Sequence, residues 1–354
     1  MKTWQKLKAN PKLFQRYYVK EYIIRAIREF FITKNYHELE SPIIAPALPQ
    51  EHYLNPVTTE IIAKSNANKV SKKTGYLIPS TERYNKIMLA AGLGNHFVIT
   101  KVFRGLEDSS PNHSFEFTMC EWYHLDANYF DLMKDCQSLF KYIQNYLVKN
   151  LFHKNFSHQI TFQSNEINLA GDWDKLSVVD ALKDFCNISL EEIQDIKKFK
   201  KVAIEKGYNI SKNDDWEIIF ELIFANEIEP KLNPNKPTFV YDYPLQLCPL
   251  TKVSPTNPLV AQKMELFIAG KEIANGYTEL TDGVEQERRF KIEADARNSL
   301  GKTPIEFDNE IIEALKSGLP EVAGIGMGLD RLAMIFADAK SIDEINYFPT
   351  NESF

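Results

Sequence analysis

Residues 102–124 read VFRGLEDSSPNHSFEFTMCEWYH, two apolar-rich arms joined by a polar stretch that holds a proline and an asparagine. That pattern predicts a β-hairpin. Its unusual feature is the company: an arginine, several acids and two histidines are threaded through arms that would otherwise be buried. In an extended strand, residues two apart share a face, so Phe117, Met119, Glu121 and Tyr123 point the same way. A wall with aromatic rings, a carboxylate and a phenol suits a pocket for a flat ring beside a cationic amine. Arg104 closes the first arm and would sit near that pocket as a clamp for a phosphate, where the planar guanidinium fork is preferred to lysine. Taken alone, the hairpin has a plainer and commoner account, in which its charges face solvent on one side of an antiparallel sheet.

The chain around it has 354 residues and is 44% hydrophobic, enough for one large core or two modest ones. No apolar run approaches the roughly 18 residues of a membrane span, and no secretory signal opens the chain, so a cytoplasmic protein with no membrane partner is expected. Cys120, Cys136, Cys186 and Cys248 lie far apart, with neither a CxxC pair nor a histidine at ligand spacing. Reduced core thiols are expected, not a disulfide framework or a zinc site. The net charge of −6 argues against a broad nucleic-acid-binding surface. Residues 1–35 break that average, with Lys2, Lys6, Lys8, Lys12, Arg16, Lys20, Arg25, Arg28 and Lys34 against Glu21 and Glu29. Ile23, Ile27 and Phe30 recur at helical spacing, so the basic residues are either a solvated helix face or a landing strip for an acidic partner.

Helices are predicted over about 12–34, 82–92 and 129–150. Strands are predicted at 98–103, 114–123, 238–244 and 263–280, rich in Phe, Tyr, Val and Ile and fenced by Pro, Gly and Asn, which together point to an antiparallel sheet. The segment 165–235 reads as a charged helical insertion between halves of that sheet, and the polar run AKSNANKVSKKTG at 63–75 reads as a mobile loop.

Two further stretches carry chemistry. In KEIANGYTEL, residues 271–280, Glu272 and Glu279 are two acids able to hold magnesium on a polyphosphate, or else two surface acids flanking a turn. Their odd spacing puts them on opposite faces of a regular strand, so a bend or bulge at Asn275-Gly276 is expected if they are to converge. In GIGMGLDRLAMIFA, residues 324–337, glycines alternate ahead of an Asp-Arg that opens an apolar helix. The chain ends too soon for the βαβ unit of a dinucleotide-binding fold. The alternative is a glycine-lined strand against which a nucleotide lies, with Arg331 aimed at phosphate.

Together, YHELESP at 36–42, the Phe103–Phe117 stretch and GIGMGLDRL at 324–332 resemble motifs 1, 2 and 3 of the class II aminoacyl-tRNA synthetases. IPSTERYNKIMLAAG, EFTMCEWY, KPTFVYDYP, KEIANGYTELTD and GLPEVAGIGMGLDRL resemble the lysyl branch, over nearly the whole length from about residue 12. The resemblance implies an α+β fold, an antiparallel sheet flanked by helices, as one catalytic domain over residues 1–354 that dimerises through motif 1. Lysyl-tRNA synthetases carry an anticodon-binding OB fold ahead of motif 1, whereas about 35 residues precede it here. The insertion at 165–235, the motif IANGYTEL and the compact length resemble instead the ligase family that activates (R)-β-lysine with ATP and Mg2+ and passes it to a lysine of elongation factor P.

The roles that the resemblance implies are these. Arg104 and Arg331 hold the phosphates on either side, Glu107 reads the adenine amino group, Phe117 stacks on its ring, and His113 approaches the triphosphate. Ile273 lines the ATP site, Gly328 leaves room for the nucleotide, and Glu272 and Glu279 bind magnesium. Ser80, Thr81, Glu82 and Glu279 hold the amino acid, and Glu121 and Tyr123 take its side-chain ammonium. Gly326 borders the substrate backbone and is glycine as in lysyl-tRNA synthetases, where the ligases carry alanine, so α-lysine and β-lysine both stay open. Positioning and electrostatic stabilisation carry such a reaction without a covalent nucleophile. Two other functions remain open: a lysine-activating, tRNA synthetase-like enzyme without an anticodon-binding domain, which the acidic net charge disfavours, and a non-catalytic amino-acid-binding paralogue, which retention of the arginines and acids disfavours.

Overall fold

A computed structural model describes residues 1–64, 70–105, 110–152 and 159–353. The strands along the chain are β1 (His37–Glu38), β2 (Ile44–Ala45), β3 (Val57–Lys64), β4 (Val70–Leu77), β5 (His96–Phe103), β6 (Glu116–Leu125), β7 (Gln159–Phe162), β8 (Asn165–Asn168), β9 (Asp174–Ser177), β10 (Thr238–Pro244), β11 (Val260–Ile268), β12 (Lys271–Thr278) and β13 (Val322–Gly328). The helices are α1 (Thr3–Ala9), α2 (Phe14–Thr33), α3 (Glu82–Ala90), α4 (Tyr129–Leu147), α5 (Val178–Ala181), α6 (Ile196–Glu205), α7 (Trp216–Ile223), α8 (Gly283–Ser299), α9 (Asn309–Ser317) and α10 (Leu329–Phe336).

The period-two stretches assemble into an eight-stranded sheet in the order β1-β5-β6-β13-β12-β11-β10-β9. Its central pairs are antiparallel, as predicted, and the two edge pairs, β1 with β5 and β9 with β10, are parallel. The edges differ because a parallel neighbour needs a long crossover. The chain makes one through β2–β4 and α3, and the other through α5–α7.

Alternation along the strands explains the division of labour between the two faces. Cys120 and Trp122 of β6 and Ile325 and Met327 of β13 enter one large core with Phe31 of α2, Phe140 of α4 and Leu332 of α10. Phe31 stacks on Phe97 with ring centroids 4.9 Å apart. The residues in between, Phe117, Met119, Glu121 and Tyr123 on β6 and Gly324, Gly326 and Gly328 on β13, line a cavity on the other face. The alternating glycines of GIGMG are therefore the cavity side of a core strand. α4, which covers the core face, starts at a capping box: Phe130 N–H donates to the Asn128 side chain (2.9 Å), and Asn128 N–H donates to Asp131 (3.1 Å).

Two expectations need correction. The run 63–75 is not a loop in its described part: Ala63 and Lys64 end β3, and residues from Val70 onward form β4, paired antiparallel with β3; residues 65–69 lie outside the described residues. Pairing satisfies the backbone of this polar ribbon even though most of its side chains are exposed. The stretch 165–235 opens with β8 and β9 and is helical from Val178 on, because β9 finds a pairing partner in β10. Its helices bury Phe199, Ile219, Phe220 and Ile223 in a second core against Val240 and Tyr243. The basic residues of the first 35 fit the solvated helix face, where Arg16, Arg25 and Arg28 stay about half exposed while pairing with Glu344 (2.5 Å), Glu21 and Glu38 (2.8 Å); Lys20 is largely buried against Asp330 (2.7 Å).

The four cysteines are free and buried. Among the described residues, no helix is long and apolar enough to cross a membrane.

Candidate active site

The cavity on the open face of the sheet measures about 610 Å³ and is walled by β6, β12 and β13, by the start of α3 and by the segment before β3. Arg104, His113, Phe117, Glu272, Ile273, Gly328 and Arg331 all line it, as do Ser80, Glu82, Glu121, Tyr123, Glu279 and Gly326. The expectations for these residues came from four separate stretches of sequence, and the fold brings them to one place. Thr81 lies just behind the wall, and Glu107 lies outside the described residues.

At one side the Arg104 guanidinium stands over the Phe117 ring, 5.5 Å from its centroid. Its Nε is buried without a hydrogen-bond partner among the described residues. A guanidinium with a buried, unspent donor is a built demand for an anion. Arg331, at the start of α10, is held by backbone: its Nη1 donates to the Glu272 carbonyl (2.9 Å) and its Nε to the Asn112 carbonyl (3.2 Å). The Glu272 carboxylate is only 3.5 Å from the same Nη1 and remains partly open to the cavity. His113 Nδ1 shares a 2.8 Å hydrogen bond with the Ser110 hydroxyl.

Glu272 and Glu279 do reach one cavity, but not through a bulge at Asn275-Gly276. Asn275 and Gly276 pair regularly with Glu265 and Met264, and the register slips instead between Leu266↔Ala274 and Phe267↔Glu272, so that Ile273 is the extra residue. A regular ladder at Gly276 follows from crowding: a Cβ there would lie 2.7 Å from Ile325 Cβ on the neighbouring strand, so glycine serves close packing.

At the other side, four carboxyl groups meet. Glu121 is buried on β6 and accepts from Thr81 N–H (2.8 Å), the Thr81 hydroxyl (2.6 Å) and Asn85 Nδ2 (3.0 Å). Burial pushes its carboxyl up to about 7, against the pull of those hydrogen bonds. Glu279 sits just past β12, and its Oε2 is 2.8 Å from the ammonium of Lys86, which also pairs with Glu82 one helical turn earlier. Lys86 is fully buried. Desolvation works against its charge, but Glu279 and Glu82 more than reverse that and hold it protonated. Glu51 completes the group, pushed up to about 7 by burial and by Glu82. Tyr123 faces the same space, stacked on His96 at 5.3 Å.

A model of the family described as "tRNA synthetases class II (D, K and N)" matches residues 2–352. The chain belongs to this class II family. It is 35% identical over 352 residues, 99% of its own length and 67% of the relative's, to a lysine–tRNA ligase of Wigglesworthia glossinidia brevipalpis. It is 33% identical over 98% of its length to the lysine–tRNA ligase of Buchnera aphidicola subsp. Cinara cedri, covering 66% of that protein. For the lysine–tRNA ligase of Legionella pneumophila (strain Corby) the figures are 31%, 98% and 67%. Class II synthetases are ATP-dependent amino-acid ligases that form an aminoacyl-adenylate, and this chain carries their catalytic fold.

Several residues of this class II site escaped the sequence reading: Lys86, Asn85 and the buried pair of Arg83 with Asp308 (2.6 Å), which anchors α3 to the start of α9. The i,i+4 spacing of Glu82 and Lys86 was a signal that could have been read. The donors for magnesium fit in part. Glu272 offers a hard, accessible carboxylate, and Glu279 keeps one oxygen without a hydrogen-bond partner while the other contacts Lys86.

Proposed function

We propose that this chain uses ATP and Mg2+ to activate lysine or (R)-β-lysine and transfers it to a lysine side chain of elongation factor P. One observation carries the amino-acid half of this assignment. Buried carboxylates from three elements, Glu82, Glu121 and Glu279, gather with Tyr123 at one side of a cavity whose other side holds two arginines. A diamino acid matches that layout, with ammonium groups toward the acids and its carboxylate toward the phosphates. The substrate carboxylate attacks the α-phosphorus of ATP, the bond to the β-phosphate breaks, and pyrophosphate leaves. Arg104 and Arg331 stabilise the charge that builds on the α-phosphate oxygens. Glu272 and one oxygen of Glu279 would hold magnesium, which would supply charge neutralisation on the phosphates. In the second half, the acceptor amine attacks the acyl carbon and AMP departs.

The protein acceptor is supported by the likeness of residues 271–280 to the elongation factor P ligases and by the net charge of −6, which opposes binding of a polyanion. A tRNA acceptor is the second possibility, favoured by relatives named as lysine–tRNA ligases. We further propose a homodimer, supported by exposed apolar side chains on the β2–β4 ribbon, Ile44 and Ile61 on one face and Ile62 and Val70 on the other.

The test combines amino-acid-dependent ATP–pyrophosphate exchange, using each lysine isomer, with transfer read by the intact mass of elongation factor P and by tRNA charging. Exchange with a lysine isomer followed by a mass gain on the factor is expected; charged tRNA with an unmodified factor would overturn the acceptor. Arg331→Ala is expected to lower the exchange rate by about 10², the scale for losing one preorganised charge stabiliser.

A further inference from the structure

We propose that Glu51 is the general base of the transfer step: its carboxylate accepts the proton that the acceptor amine sheds as its nitrogen bonds to the acyl carbon of the adenylate. This rests on the adenylate reading above. Activation has no need of a base, because the attacking carboxylate is already ionised. Transfer has that need, since an amine that attacks a carbonyl carbon must lose a proton. Glu82, Glu121 and Glu279 are assigned to the ammonium groups of the substrate, and Glu272 would hold magnesium. Glu51 lines the same cavity and has none of these duties.

Its position suits the task. The charged and polar groups acting on Glu51 are Glu82 of α3, Tyr53 of its own segment, Arg104 just past β5 and Glu293 of α8, and Glu51 in turn acts on Tyr277 of β12. It lies between the carboxylate assigned to the amino end of the substrate and the arginine assigned to the α-phosphate. The acyl carbon of an adenylate joins those two ends. The segment that carries Glu51 is irregular but fixed at several points. Leu54 N–H donates to the Glu51 carbonyl (3.3 Å) and Gly105 N–H to that of Asn55 (2.8 Å). Buried Arg297 of α8 donates to the Leu54 carbonyl (2.6 Å), Lys302 to that of His52 (3.0 Å), and buried Gln50 to that of Glu306 (3.1 Å). A carboxylate on such a platform keeps its place while the acceptor arrives. The Tyr53 hydroxyl donates to it. Burial and then Glu82 push the carboxyl up, while the Tyr53 hydrogen bond and Arg104 pull it down; it rests at about 7, where a base is both ionised and basic enough at neutral pH. The step balances: the nitrogen of the free amine forms a bond to the acyl carbon, one of its protons passes to Glu51, the bond from the acyl carbon to the phosphate oxygen breaks, and AMP leaves with the electron pair. Glu51 then returns the proton to solvent.

The experiment loads wild type, Glu51→Gln and Tyr53→Phe with adenylate, then adds n-butylamine, the side chain of lysine without its backbone, or elongation factor P. Amide formed in a single turnover is read by mass between about pH 6 and 9, and pyrophosphate exchange is measured beside it. Glu51→Gln should lower the ratio of transfer rate to exchange rate by about 10² or more, the scale of general-base catalysis. The pH profile separates a base from a merely structural residue. The acceptor amine is protonated below about pH 10, so its own titration gives the logarithm of the rate a slope of about one. Protonation of Glu51 steepens the wild-type slope to about two below about pH 7. That break should vanish in Glu51→Gln. In Tyr53→Phe it should move to higher pH, because a hydrogen bond that favours the ionised carboxylate is gone. A break retained in Glu51→Gln would overturn the proposal, as would transfer and exchange falling alike, or a wild type that forms the adenylate yet passes it to neither amine. Should Glu51→Gln not fold, the break in wild type and its shift in Tyr53→Phe decide. If wild type shows no exchange with either lysine isomer, the adenylate assignment fails and takes this proposal with it; exchange with an unbroken wild-type profile overturns the proposal alone.

Discussion

Gly326 faces the cavity between Met119 and Glu121, and a Cβ built there would lie 3.3 Å from Met119 Sδ and 3.6 Å from Glu121 Cγ. A flexible thioether can give way by a few tenths of an ångström, so alanine is sterically tolerable on the protein side and its methyl would occupy substrate space. Gly326→Ala should therefore fold and shift selectivity toward the β-amino isomer. Single-methylene discrimination amounts to ~1–3 kcal/mol, or about tenfold to two-hundredfold in kcat/KM. Competition between the two isomers, read by mass after transfer, checks this; an unchanged ratio would leave Gly326 a packing residue. Gly324, two residues earlier, is under a harder constraint: a Cβ there would come within 2.6 Å of the Tyr123 ring as well as against Glu279. Glu121 also acquires a different emphasis. Its oxygens already accept from Thr81 and Asn85, so it fastens the start of α3 to β6 while facing the pocket.

The insertion helices are tied to the cavity wall by a histidine. His52 lies between Glu51 and Tyr53, both of which line the cavity. Its backbone N–H and Nδ1 meet Glu293 of α8 at 2.9 and 2.7 Å, and its Nε2 is 3.2 Å from Glu217 of α7. Glu217 first, then Glu293, raise its pKa to about 10, against a smaller loss from burial. The sign of the linkage follows: with the folded pKa above the unfolded one, the contribution is fully present below about pH 6.5 and is lost as pH climbs toward 10. We expect His52 to contribute on the order of 3 kcal/mol at neutral or lower pH. Urea unfolding at a series of pH values should show a wild-type advantage over His52→Gln that shrinks across this window; a constant difference would refute the clamp. β12 teaches a related lesson, since a single extra residue at Ile273 brings an odd-spaced pair of acids to one cavity.

Asp330 joins the two sides of the molecule. It opens α10, accepts from Thr118 N–H of β6 (2.7 Å), and pairs with Lys20 of α2 (2.7 Å) and Asn346 (2.8 Å). Burial opposes its charge, yet Lys20 and these donors hold its carboxyl below the usual range. It thus locks the core helices to the strand that carries the pocket, while the adjacent Arg331 turns into the cavity. Removing its charge strands Lys20, which is largely buried. Asp330→Ala should cost about 3–5 kcal/mol, the range for breaking a buried pair, seen as a lower urea midpoint, whereas Arg331→Ala should lower exchange with little change in that midpoint. Equal stability losses in the two variants would contradict this split.

Much of this molecule was determined by local sequence. The alternation in residues 114–123 placed Phe117, Met119, Glu121 and Tyr123 on one face, and the helices at 12–34, 82–92 and 129–150 fall close to α2, α3 and α4. These follow from side-chain period and termination signals, which act within a few residues. Tertiary structure alone decided the parallel edge pairs, the bulge at Ile273, the strand pairing within 63–75 and the partner of Lys86. Each of these depends on which distant segment lies opposite, and pairing between remote segments is settled by the burial and hydrogen-bond satisfaction of the whole chain rather than by any local pattern.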